Sequence, residues 1–341
     1  LDLAVFLEQQ AGRKVYLDFL RNPEPVNEND EFSLDHLDPD VREYLENNEA
    51  LQDLPIDRLR RMNPLAIELY RMHGSDLEAE PLEFAMNNQH MNGGILIDDW
   101  GRTSLQGCYA IGEAAGSHGV TRPGGAALNS GQVFGKRVAI AIKRARNEKT
   151  DTSVDSAVVN QAIEGTLRDA DRFVGGGIGR KPKDIKMEIQ ARMSDNAGII
   201  CTADEVQSAL EAATALRCEV ETKGLQVSSA SMVGQAFRWR HMAWVSEAVL
   251  TALDHYISNG GGSRGARAIC SDAGTHCPEA NGEDLSRFSF IEEQAKDREE
   301  KLIVSRIEDG IKVSALPVDL TPEVQREFFE KGWGSYLIKE G

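Results

Sequence analysis

The stretch AGSHGVTRPGGAALNSG, residues 115–131, sets a histidine, an arginine fixed beside a proline, and a Gly–Gly pair at the start of a helix. A turn needs a single glycine. A glycine pair beside a cation instead lets backbone and positive charge come close to a large anionic group. The helix that follows aims unbonded N–H groups and the positive end of its dipole at the same place. His118, Arg122, Gly124 and Gly125 are therefore the first residues here whose types and spacing suit ligand chemistry.

The elements that must position them lie on either side. GCYAIGEAAG, residues 107–116, reads as a short apolar strand buried on both faces that runs into the Gly112–Glu113 pair. The next helix begins near Ala126 and continues through ALNSGQVFGKRVAIAIKRARN, where basic residues in the last turn complement the dipole. Together these parts suit a flavin. Glu113 can accept hydrogen bonds from ribityl hydroxyls, and Gly124–Gly125 admit a planar ring. The helix start would favour the negative N1–C2 edge of a reduced flavin. The plainer reading is that the glycine pair only permits helix–sheet packing. GGGIGRKP (175–182) and GQVFGKR (131–137) lack the spacing and the Lys–Ser/Thr ending of a phosphate loop. The former is expected to be a flexible connector and the latter to lie inside the helix.

Residues 90–135, HMNGGILIDDWGRTSLQGCYAIGEAAGSHGVTRPGGAALNSGQVFG, carry a resemblance. They are similar to the second FAD-binding segment of the succinate dehydrogenase/fumarate reductase flavoprotein family, which includes L-aspartate oxidase. RKVYLDF resembles that family's capping-domain strand, DIKMEIQARMSDNAGII the start of its helical domain, and GSRGARA (262–268) the motif after its long helix. The resemblance implies a partial α/β FAD-binding domain lacking the N-terminal Rossmann βαβ, with part of a capping domain, followed by an all-α helical domain. The expected boundaries are 1–84 for the capping part, 85–147 for the FAD-binding part, 148–287 for the helical bundle and 288–341 for a tail.

The same resemblance implies site roles. Gly112 and Glu113 would meet the FAD ribityl chain, and the backbone of Ala127, Leu128, Asn129 and Ser130 would face the pyrimidine edge of the isoalloxazine. Arg122 would bind a substrate carboxylate, a task its planar guanidinium fits. His118 would lie near the flavin, and His90 or His118 would add positive charge or a hydrogen bond. Two departures stand out. The family's substrate histidine falls on Gln89, with His90 one residue later, and Pro123 and Ala126 alter the rim. Either the backbone has lost a residue and His90 still reaches the site, or the site reads another substrate.

The family's first βαβ unit, with GxGxxG for the ADP pyrophosphate, has no counterpart in this sequence. The resemblance therefore implies the C-terminal portion of an FAD-dependent oxidoreductase. The glycine motif would come from an upstream segment or a separate subunit. Electrons would enter through an iron–sulfur subunit or a nicotinamide nucleotide. The reading from another class is a non-catalytic, flavoprotein-like subunit that completes a site on a different chain.

Composition narrows the rest. The chain has 341 residues and a formal net charge of −17, which argues against a nucleic-acid partner. No apolar run approaches the ~18 residues of a membrane span, so a cytoplasmic protein is expected, or one peripheral to a membrane through partners. The chain opens at Leu1 without a signal region, consistent with a fragment. The five cysteines are scattered without CxxC and read as free thiols; Cys270, His276 and Cys277 lack a credible fourth metal ligand. Residues 21–60, rich in Asn, Asp and Pro, are expected to be loops with one short helix near DPDVREYLEN. LEFAMNNQHMNGGILIDDWGR is expected to form two strands around a Gly93–Gly94 turn. Thr202 and Glu205 spell a capping box ahead of a helix. A longer helix should carry Trp239 and Trp244 as core anchors and His241 and His255 as packing or surface residues, and strand-like alternation returns within 288–316. Arg264 and Arg267 are assigned a structural role.

Overall fold

The computed structural model describes residues 2–24, 32–87, 90, 93–119, 126–147, 155–175, 178–265, 267–277, 285, 288–308 and 310–318. Two compact units divide the chain, one built on residues 1–87 with 278–287 and the other on 88–277 with 288–341.

In the first unit, α1 (Asp2–Gln10) stops before Gly12, whose φ of +74° is the left-handed conformation that glycine supplies at a helix end. β1 (Val15–Leu17) pairs antiparallel with β2 (Leu82–Phe84), Val15 opposite Phe84. Between them lie α2 (Pro39–Asn47), α3 (Pro55–Met62) and α4 (Pro64–Met72). The expectation of loops with a single helix is corrected here. Each helix opens on a proline at its first position, where the missing N–H costs nothing and φ is already helical. Ile56, Ile67 and Leu77 form the core of this unit, with Phe19, Leu59 and Leu82 against it.

The second unit begins with irregular backbone. The expected doubly buried strand at 107–116 is corrected: the structure has an antiparallel bridge between Arg102 and Tyr109, a parallel bridge between Ile95 and Ala115, and a 3-10 turn over Gly112–Ala114. Ile111, which such a strand would hide, is 45% exposed. A strand covered on both faces needs neighbours in a parallel sheet, and none flank it among the described residues. The second strand expected after Gly94 reduces to the Ile95 bridge for the same reason.

α5 (Ala126–Asn147) packs against this segment. Gly101 lies so near the helix that a Cβ there would collide with the Val138 side chain. Arg137 donates to the Asp99 carbonyl at 2.9 Å, and the Arg144 guanidinium lies 4.8 Å from the Trp100 ring centroid.

The remainder contains α6 (Ser156–Val174), α7 (Pro182–Asn196), β3 (Ile200–Cys201), α8 (Ala203–Lys223), α9 (Val233–Ser258), β4 (Ala268–His276), β5 (Ser289–Phe290), β6 (Glu300–Ile307) and β7 (Gly310–Pro317). An all-α domain is therefore corrected. β3 runs parallel to β4, β4 pairs antiparallel with β5, and β6 and β7 form a hairpin packed on α9. The connector at 175–182 is not wholly free either, because Arg180 bridges Leu225 and accepts from Gln226 N–H at 2.9 Å. Its residues 176 and 177 lie outside the described residues.

The core follows the helical periodicity. Val206, Ala209 and Ala213 of α8 meet Leu250 and Leu253 of α9, and burying a residue such as Leu250 contributes about 1.5–3 kcal/mol. Trp244 donates to Glu221 at 2.9 Å, and Glu221 also pairs with Arg240 at 3.0 Å. Burial pushes the Glu221 carboxyl up, but the Arg240 and Trp244 hydrogen bonds outweigh it and hold it below the ordinary range. Trp239 packs on the core beside α7, while His241 and His255 are exposed. Arg264 bonds the Asp297 carbonyl and pairs with Glu293, and Arg267 donates to the Ala197 carbonyl at 3.2 Å.

The capping box at Thr202 is complete: its hydroxyl accepts from Glu205 N–H, and the Glu205 carboxylate accepts from Thr202 N–H. Thr202→Ala should lower stability by about 1 kcal/mol. The check is a lower urea midpoint with an unchanged denaturant slope.

Candidate functional site

Two backbone segments cross to build the site. Ile95 N–H donates to Ala114 O at 2.8 Å, and Gly116 N–H donates to Ile95 O at 3.0 Å. Gly94 makes this approach feasible, since a Cβ there would stand 2.6 Å from Ala114 O and 2.7 Å from Ala115 C. The crossing brings residue 90 beside residues 113 and 118, far apart in sequence.

The result is a cluster of polar side chains. His118 Nδ1 and His90 Nε2 are 2.5 Å apart, with ring centroids separated by 4.6 Å at an interplanar angle of 42°. Glu113 Oε1 stands 3.7 Å from the same His90 nitrogen; the His90 side chain is 9% exposed and that of Glu113 54%. Ser117 and Ser130 share a hydrogen bond at 2.8 Å, tying the loop to the first turns of α5.

Several sequence-predicted residues thus converge. Gly112 takes φ +65°, and a Cβ on it would meet nothing within 4 Å, so open space lies above it. Leu128 and Asn129 present exposed side chains on the first turn of α5, and Ala127 and Ser130 are half-buried. Arg122, Gly124 and Gly125, with Gln89 and Pro123, lie outside the described residues. Sequence reasoning missed Ser117, whose only signal was its place beside His118, and read Gly94 as a turn rather than a crossing.

The open surface over Gly112, the half-exposed carboxylate and the exposed Leu128 and Asn129 on the first turn of α5 fit part of a flavin nucleotide's surroundings. No group of three His, Cys, Asp or Glu side chains among the described residues could hold a metal ion. The cysteines are free thiols, and burial pushes the Cys201 thiol up to about 11.

Residues 7–128 match the family profile described as an FAD binding domain. The CoM/CoB fumarate reductase of Methanothermobacter marburgensis is 34% identical over 140 residues, covering 40% of this chain and 24% of that protein. The Streptomyces coelicolor L-aspartate oxidase is 28% identical over 158 residues, covering 46% and 26%. By these matches the chain is similar to flavoproteins of the succinate dehydrogenase, fumarate reductase and L-aspartate oxidase family. FAD is the cofactor that the matches indicate.

Solved structures of this flavoprotein class share the fold. An E. coli quinol fumarate reductase superposes with a TM-score of 0.65 at 20% identity, covering 96% of this chain and 49% of that one. The Archaeoglobus fulgidus adenylylsulfate reductase gives a TM-score of 0.51 at 15% identity, covering 92% and 49%. The chain spans about a quarter of the curated relatives it matches and about half of the solved chains. No helix among its described residues is long and apolar enough to cross a membrane.

Proposed function

We propose that this chain is the C-terminal portion of an FAD-dependent oxidoreductase of the fumarate reductase/succinate dehydrogenase type, acting on a small carboxylate. Residues 1–84 would serve as capping part, 85–147 as FAD-binding part, 148–287 as helical domain and 288–341 as a terminal segment. The observation that carries the reading is the meeting of His90, His118 and Glu113 at the start of α5, inside the segment that matches an FAD-binding domain.

When bound, the flavin would supply the hydride acceptor or donor at its N5. The chain's own residues bind and orient. Backbone of Ala127–Ser130 at the start of α5 would face the pyrimidine edge, and Glu113 would receive ribityl hydroxyls. Arg122 would hold a substrate carboxylate bidentately, fixing the carbon to be oxidised or reduced. His90 and His118 would add positive charge or a hydrogen bond near it. A partner segment or subunit would carry the GxGxxG, and an iron–sulfur subunit or a nicotinamide nucleotide would carry electrons.

The second reading, a flavoprotein-like subunit without catalysis, rests on the lack, in this sequence, of a βαβ unit that opens on GxGxxG. Co-expression with a segment bearing that motif separates the two. The enzyme reading expects flavin absorbance near about 450 nm in the purified complex; a colourless complex ends it. Arg122→Ala should then lower turnover by roughly 10²-fold or more at unchanged flavin absorbance. Full turnover in that variant removes Arg122 from the mechanism.

A further inference from the structure

The sequence puts a glutamine where the family pattern has its substrate histidine, and a histidine one residue later. The structure adds what the sequence could not: His90 meets a second imidazole. We infer that His118 is a positioning residue for His90, and that the two rings act as one unit sharing a single proton between His90 Nε2 and His118 Nδ1. For its catalytic consequence this rests on the flavin reading above.

At 2.5 Å, one of the two facing nitrogens must donate and the other accept. Two N–H groups cannot face each other at that distance. The pair therefore keeps one bridging proton. The bridge also fixes which nitrogen of each ring is engaged, so the ring of His90 is held in one orientation. Glu113 places Oε1 3.7 Å from the shared His90 nitrogen. The neighbouring Ser117 and Ser130 hydroxyls bond each other. A second ring, delivered by the segment that crosses at Gly94, holds His90 in place. The unit presents two linked imidazole rings, in one fixed orientation, to a polar group of the substrate.

Two substitutions test this. Asparagine sets an amide oxygen near the position of Nδ1, so His118→Asn can still accept from His90 Nε2–H, whereas His118→Ala cannot. With ¹⁵N-histidine labelling of the full chain, the wild type should show a nitrogen–nitrogen coupling across the bridge and a strongly downfield bridging proton. His118→Ala should lose both, and His118→Asn should restore the Nε2-protonated signature of His90. Absence of the coupling in the wild type, or His90 ring shifts unchanged in His118→Ala, overturns the inference. In the flavin-loaded complex, His118→Ala should lower kcat by roughly 10²-fold with KM within about threefold and flavin absorbance retained, and His118→Asn should recover roughly tenfold. An unchanged kcat removes the positioning role. Failure of the flavin reading shows separately, as missing flavin bands in the wild-type complex while the bridge persists in the chain. If His118→Ala does not fold, His118→Asn still decides, since the bridge requires that it keep the His90 signature.

Discussion

Glu247→Ala should lower the stability of the second unit by about 3–5 kcal/mol, the cost of leaving a buried charge without its partner. Glu247 of α9 pairs with Arg217 of α8, and their side chains are 5% and 10% exposed. The Glu247 hydrogen bond, the largest influence on Arg217, raises that guanidinium's pKa; without it a guanidinium still stays charged at neutral pH, so neutralisation is no escape when the carboxylate is removed. Arg217 also lies 4.5 Å from the Trp244 ring centroid, and Arg306 of the β6–β7 hairpin lies 4.0 Å from the same centroid. Loss of the ion pair should therefore reach the hairpin. The measurement is urea unfolding followed by Trp fluorescence, with Arg217→Met/Glu247→Leu as companion. The double variant should recover most of the loss, because an apolar pair replaces the ions without leaving an orphan charge. A single variant within about 0.5 kcal/mol of wild type would sink the assignment.

What the sequence made legible was whatever depends on near neighbours. The Thr202–Glu205 box starts α8 because its two hydrogen bonds span three residues, and the start of α5 near Ala126 follows from the glycines before it. α3 and α4 were legible too, in Pro55 and Pro64, but the acidic, Asn-rich composition around them reads more loudly as loop. The failures have another cause. The apolar run at 107–116 carries the composition of a strand buried on both faces, yet strand formation depends on partners that composition cannot count. The hairpin at 300–317 announces its alternation, but not that Arg306 would settle over Trp244.

The site divides along the same line. Glu113 and His118 stand within one short stretch, so their shared purpose could be read from spacing. The contact of His118 with His90 spans 28 residues in sequence and depends on two segments meeting beside Gly94. The slip of one residue between Gln89 and His90 looks like a lost ligand in one dimension. In three dimensions His90 gains His118 as a partner.

That crossing is the place where one methyl group should have the largest functional effect. In Gly94→Ala the added Cβ would stand 2.6 Å from Ala114 O, 2.7 Å from Ala115 C and 2.9 Å from Gly116 N. All three are backbone atoms, so no side chain can rotate away, and overpacking of this kind costs about 1–3 kcal/mol. Relief comes by parting the segments, which breaks the Ile95–Ala115 bridge and draws His90 away from His118 and Glu113. The variant should stay folded in its helical part, since the core around Leu250 lies on other elements. It should nevertheless lose flavin from the assembled complex and, in the chain, the proton bridge between the two histidines. Gly165→Ala is the control: it sits mid-helix in α6, where the added methyl meets nothing closer than 3.9 Å. Removing a glycine from a helix interior should stabilise by about 0.5–1 kcal/mol and leave flavin content unchanged. Equal flavin occupancy in the two variants would mean that the crossing at Gly94 does not hold the site together.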